Sequence, residues 1–78
     1  MGMTAQRRAI LDIVLSSEEH MTAEDVYRLA RGRMPSIAMG TVYRNLNHLC
    51  QRNLIRRVGT VNGQERYDGV MEPHSHFI

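Results

Sequence analysis

Between Ala38 and Arg52 the apolar positions follow the period of a helix. Val42, Leu46, Leu49 and Cys50 recur at i, i+4, i+7 and i+8, a stripe suited to rest on a small core. The opposite face carries Thr41, Arg44, Asn45, His48 and Arg52, with Tyr43 to one side. It is rich in hydrogen-bonding groups and has no carboxylate, a composition that suits base edges and phosphates. This pattern predicts a helix that is buried on one side and reads DNA on the other.

Upstream, Thr4 can cap a first helix reaching about Ser17, with Ala9, Ile10, Ile13 and Val14 facing the core and Leu11 and Leu15 widening the stripe. Thr22-Ala23-Glu24-Asp25 has the form of a capping box and opens a second helix. That helix buries Ala23, Val26, Tyr27 and Ala30, with Leu29 beside them, and Pro35 stops it at or before Met34. Two helices so closely joined, the second polar on its outer face, predict a helix-turn-helix.

Downstream, Asn53 stands where a left-handed residue closes the third helix. Leu54–Val58 reads as a strand, residues 59–63 as a turn around Asn62-Gly63, and Gln64–Asp68 as the returning strand. The expected fold is mainly α with a small β-hairpin: a winged helix-turn-helix of three helices and a two-stranded wing. Residues 1–68 form this domain. Residues 69–78 read as a hinge opening a truncated second domain, since Phe77-Ile78 looks like a strand without its partner.

The chain has 78 residues and a net charge of +2, which conceals an uneven distribution. Residues 1–25 set two arginines against five acids, residues 26–64 hold seven arginines and no acid, and residues 65–78 are net acidic. A basic block that includes the polar helix is the footprint of a polyanion, or else a solvated basic face. The single Cys50 lies on the apolar stripe and reads as a buried, quiet thiol of a reducing cytoplasm. There is no membrane-length apolar run. Neither a nucleophile–base spacing nor a Gly-rich phosphate loop is present, so the chain does not read as an enzyme.

His74 and His76 are two apart, so in extended chain both imidazoles would point to one place, either as metal ligands or as a solvated polar tail. His20 and Asp68 are further ligand candidates, each at an element boundary. Their bland alternatives are a surface histidine and a turn-ending aspartate.

Taken together, Thr4-x-Gln6-Arg7-x-x-Ile10-Leu11, His20-x-Thr22-Ala23-Glu24-Asp25-Val26-Tyr27, Thr41-Val42-Tyr43-Arg44-x-Leu46, Leu54-Ile55, Arg66-Tyr67-Asp68 and His74-x-His76-Phe77-Ile78 resemble the ferric uptake regulator family across nearly the whole chain. The resemblance implies a homodimeric, metal-dependent bacterial repressor that binds an AT-rich palindrome in double-stranded DNA. It implies base contacts by Tyr43 and Arg44, with Thr41 and Asn45 close to the backbone. It further implies a regulatory Fe(II) or Mn(II) held by His20, Asp68, His74 and His76 with one carboxylate from the second domain, where a structural zinc is also expected. As a fragment the chain is expected to be a monomer or weak dimer.

Asp68 resembles the peroxide-sensing branch, in which bound ferrous iron and hydrogen peroxide oxidise a ligand histidine, here His20 or His74. Control of iron, zinc or manganese uptake is the alternative within the family, and a protein-interaction winged helix the alternative outside it. Two departures stand out. Gly2-Met3 replaces a basic residue that many members place before the position of Thr4, and Ala38 replaces a Ser that starts the recognition helix, with Ser36 as a possible substitute cap.

Overall fold

The computed structural model describes residues 3–17 and 19–69. Helix α1 is Ala5–Ser16, β1 is Met21–Thr22, α2 is Ala23–Arg33, α3 is Met39–Gln51, β2 is Ile55–Val61 and β3 is Gln64–Gly69. Each helix begins where the local chemistry permits. Thr4 Oγ1 accepts from the Arg7 amide at 3.1 Å, satisfying one orphan donor of α1. At α2 the capping box is complete: Asp25 N–H donates to Thr22 Oγ1 and Thr22 N–H to Asp25 Oδ2, both at 3.1 Å. Helix α3 differs, for its N-cap Ala38 has no capping side chain, and Ser36 is exposed.

The end of α3 is closed more firmly. Asn53 takes φ +62°, its N–H reaches the Cys50 carbonyl and that of Leu54 reaches the Leu49 carbonyl, each at 3.0 Å. These are the two bonds of a Schellman motif, which turns the chain directly into β2.

The sheet has three strands in the order β1-β3-β2, all antiparallel, rather than the two expected. The extra strand is two residues long, too short to leave a periodic trace, and Thr22 serves both as its last residue and as the N-cap of α2. The wing is also longer. Gly59, Thr60 and Val61 continue β2 instead of turning, because the register slips by one residue between Arg57 and Gly59. Gly59, at φ +132°, absorbs that bulge in a conformation closed to other residues. The hairpin itself closes at Asn62 and Gly63, with φ +56° and +78°, as a two-residue turn of the type that matches strand twist. Strand β3 runs to Gly69, one residue beyond the expected end of the domain.

Ile10 and Val14 of α1, Val26 of α2, Val42, Leu46 and Leu49 of α3, Ile55 of β2 and Tyr67 of β3 are almost wholly buried. Each such side chain contributes about 1.5–3 kcal/mol by leaving water. The core therefore lies where the three helices meet the sheet, and it fixes which side of α3 faces out. Two stripe-widening leucines do not join it: Leu15 and Leu29 are 49% and 52% exposed. Tyr27 and Cys50 are only partly buried.

Candidate nucleic-acid interface

Because Val42, Leu46 and Leu49 are locked in the core, the far side of α3 is fixed in solvent. Tyr43 is 48% exposed, and Arg44, Asn47 and Gln51 are exposed beside it. Among the described residues no carboxylate pairs with Arg44 or Arg52. The basic block is thus partly neutralised elsewhere, where Asp25 lies 3.3 Å from Arg28, Asp12 3.8 Å from Arg33 and Glu65 2.9 Å from Arg57, and left uncompensated on α3.

One residue expected on this face is not there. Asn45 is buried, at 4% exposure. It falls three residues after Val42 and four before Leu49, so it sits at the edge of the core stripe, not opposite it. Burial obliges its amide to find partners. Its Oδ1 accepts from Arg7 Nε of α1 at 3.0 Å and its Nδ2 donates to the Thr41 carbonyl at 3.0 Å. Thr41 itself is half-buried, and so is His48, on the same side of the helix.

Asn47 is the polar residue that sequence reading missed on the outer face. Its Oδ1 accepts from an Arg57 amino group, while Arg57 Nε donates to Glu65 at 2.9 Å. The Tyr67 hydroxyl also donates to Glu65, at 3.2 Å, and Arg57 lies over the Tyr67 ring at 5.8 Å. This network ties the outer face of α3 to the wing. Burial, followed by the nearby Glu65 charge, pushes the Tyr67 phenol above its ordinary pKa, so it remains a neutral donor. Tyr43 borders a cleft of about 290 Å³ between α2, α3 and the wing tip, with Glu24, Gly63, Gln64 and Glu65 on its walls.

The candidate metal ligands divide in two. His20 and Asp68 come together, with Nε2 and Oδ2 3.8 Å apart. Strand pairing explains this: Met21 faces Tyr67 and Thr22 faces Arg66, so the same register carried one step back sets His20 opposite Asp68. Two donors each about 2.1 Å from one ion are about 3–4 Å apart, so this N/O pair fits as part of a transition-metal site. The side chains are 53% and 29% exposed, open enough for further ligands. His74 and His76 lie outside the described residues. Among the described residues no cluster of three or more potential ligands forms, and no helix is long and apolar enough to cross a membrane.

The sequence model of the "Ferric uptake regulator family" matches residues 1–78. The "Ferric uptake regulation protein" of Bacillus subtilis (strain 168) is 38% identical over 96% of this chain and 51% of its own length. The "Peroxide operon regulator" of the same organism is 34% identical over 97% of this chain and 52% of its own. Among solved structures, a "zinc-bound manganese uptake regulator" superposes with a TM-score of 0.83 at 36% identity, covering 92% of this chain and 55% of that one. The chain therefore spans about half the length of the relatives it matches. Members of this family are transcriptional regulators and not enzymes. By sequence model, by identity to curated relatives and by a shared three-helix winged architecture, this chain belongs to the ferric uptake regulator family.

Proposed function

We propose that the chain is the DNA-binding domain of a metal-dependent transcriptional repressor, and that this repressor responds to peroxide. The observation that carries the DNA-binding reading is the exposed face of α3, whose own side chains include no acid. Tyr43 and Arg44 stand outward there, anchored from behind by Val42 and Leu46. Arg44 has the donors for a guanine edge or a phosphate, and the Tyr43 ring offers an apolar surface to a thymine methyl. In this reading Thr41 lies near the DNA backbone, and Asn45 acts from within the protein.

His20 and Asp68, joined by His74, His76 and a carboxylate outside this chain, would hold the regulatory Fe(II) or Mn(II). Ferrous iron bound there would supply the redox chemistry by which hydrogen peroxide oxidises a ligand histidine, one peroxide oxygen being added to the imidazole and the other leaving as water. His20 immediately precedes the strand that leads into α2, and Asp68 lies on β3 of the wing. An oxidised His20 would thus release a link between helix and sheet beside the DNA-reading unit. A homodimer reading two half-sites of an AT-rich palindrome completes the proposal.

The test is made on the full-length regulator loaded with ferrous iron. Peroxide should add one oxygen to the peptide containing His20 or His74 and release an AT-rich palindromic duplex. Release with both histidines unmodified, or retention of the duplex, would overturn the peroxide reading. An uptake regulator for iron, manganese or zinc is the second reading. It is favoured by the 38% identity to the "Ferric uptake regulation protein" and by the likeness to the manganese uptake regulator. A protein-interaction winged helix would bind duplex DNA at no salt concentration.

A further inference from the structure

The wing holds Asn47 by one end only. Arg57 pairs with Tyr67 across the β2–β3 ladder, and Glu65 lies two residues before Tyr67, so the three share one face of the sheet. On that face the Arg57 guanidinium is fixed from three directions. Its Nε donates to Glu65 Oε1 at 2.9 Å, its central carbon lies 5.8 Å from the centre of the Tyr67 ring, and its Nη2 donates to Asn47 Oδ1. Glu65 is itself steadied by the hydroxyl of the buried Tyr67, at 3.2 Å. An arginine N–H can bond only the oxygen of an amide, so this contact decides which way round Asn47 stands. The end without a partner among the described residues is Nδ2, which is purely a donor. Asn47 is exposed, four residues after Tyr43 and three after Arg44, on the same face of α3.

We propose that Asn47 is a specificity-determining residue that donates from Nδ2 to an acceptor on the major-groove edge of a base, and that Arg57 is the positioning residue that holds it donor-outward. The proposal rests on the DNA-binding reading and adds a base preference to it. A free asparagine offers both an oxygen and an amino group, and can pair with adenine through N6 and N7 together. With its oxygen taken by Arg57, Asn47 keeps only the donor. It can then serve thymine O4, guanine O6 or a purine N7, but it meets the cytosine amino group donor to donor. Both donors would lose water there without a bond in return, and that loss is the source of the discrimination. The position read by Asn47 therefore excludes cytosine. Arg57 and Glu65 touch no base in this arrangement and act through the amide.

The test is selection from a library of random duplexes by the full-length regulator with Mn(II), Fe(II) or Zn(II) bound, with the enriched half-site sequenced position by position. Wild type should disfavour cytosine about fivefold or more at one position. Asn47→Asp keeps an oxygen for Arg57 and turns the outward end from donor to acceptor, so the same position should now favour cytosine. Arg57→Met frees the amide to turn over and should relax that position alone, whereas Arg57→Lys, which can still donate to Oδ1, should retain the wild-type preference. Asn47 and Arg57 are exposed, so these variants keep the fold. Base preferences unchanged at every position in Asn47→Asp would overturn the proposal and leave Asn47 a clamp between helix and wing, with DNA binding intact. The wild-type preference persisting in Arg57→Met would overturn the positioning role of Arg57. Enrichment of no duplex by wild type with any of the three metals would overturn the DNA-binding reading as well.

Discussion

Arg7 Nε donates to Asn45 Oδ1 at 3.0 Å across 38 positions of sequence, joining α1 to α3 through a buried amide. Removing it leaves a guanidinium donor unanswered in a packed seam. Asn45→Ala should cost about 1–3 kcal/mol in urea unfolding. It should also weaken AT-rich and mixed-sequence duplexes equally, since the amide serves Arg7 rather than a base. A change within about 0.5 kcal/mol, the range of an ordinary surface substitution, would remove the brace from the account.

Helix α3 lacks a cap where its backbone is ready for one. Ala38 sits at φ −101°, ψ 155°, the extended geometry of an N-cap. Ala38→Ser should stabilise the protein by about 1 kcal/mol, read as a rise in Tm of a few degrees. No gain in Tm would mean that the first turn of α3 is satisfied in another way.

The capping box of α2 carries a pH signature. The Thr22 backbone hydrogen bond, opposed by desolvation and helped by the Thr22 hydroxyl and Arg28, holds the Asp25 carboxyl below its ordinary value of 3.8. A depressed folded-state pKa gives stability that is complete above 3.8 and lost as pH falls through the lower folded value. Wild type should therefore lose an increment of stability in that acid window which Asp25→Asn does not lose. Thr22→Ala should cost about 0.5–2 kcal/mol at neutral pH. Parallel acid unfolding curves for wild type and Asp25→Asn would contradict this assignment.

Much of this was legible before any coordinates. Thr4, Thr22 with Asp25, Asn53 and Asn62-Gly63 are local signals, and each acts where its chemistry placed it. What escaped depends on long-range pairing. Strand β1 exists because Met21 and Thr22 find Tyr67 and Arg66 across the chain. By its polarity Asn45 reads as outward, but it borders the core stripe and Arg7 comes from another helix to meet it. Leu15 and Leu29 matched the helical period yet remain half exposed, since a small core runs out of partners before the stripe does. His20 and Asp68 lie 48 positions apart in sequence, and the sheet register brings them together.

That pairing makes a prediction about metal. The His20–Asp68 contact is partly exposed, so it adds little to folding. In the full-length regulator Asp68→Ala should shift stability of the metal-free protein by no more than about 1 kcal/mol. It should weaken Mn(II) binding by about tenfold or more, as loss of a ligand oxygen demands. Manganese affinity equal to wild type, measured by electron paramagnetic resonance, would exclude Asp68 from the site.

The central claim is that the outer face of α3 meets DNA. Amide and side-chain NMR shifts recorded while an AT-rich palindromic duplex is added test it most directly. The largest changes should fall on Tyr43, Arg44 and Asn47, and Arg44→Ala should lower affinity by about 1–3 kcal/mol while relaxing preference at one base position. Changes confined to α2 or the sheet, with Tyr43 and Arg44 unmoved at saturation, would contradict it.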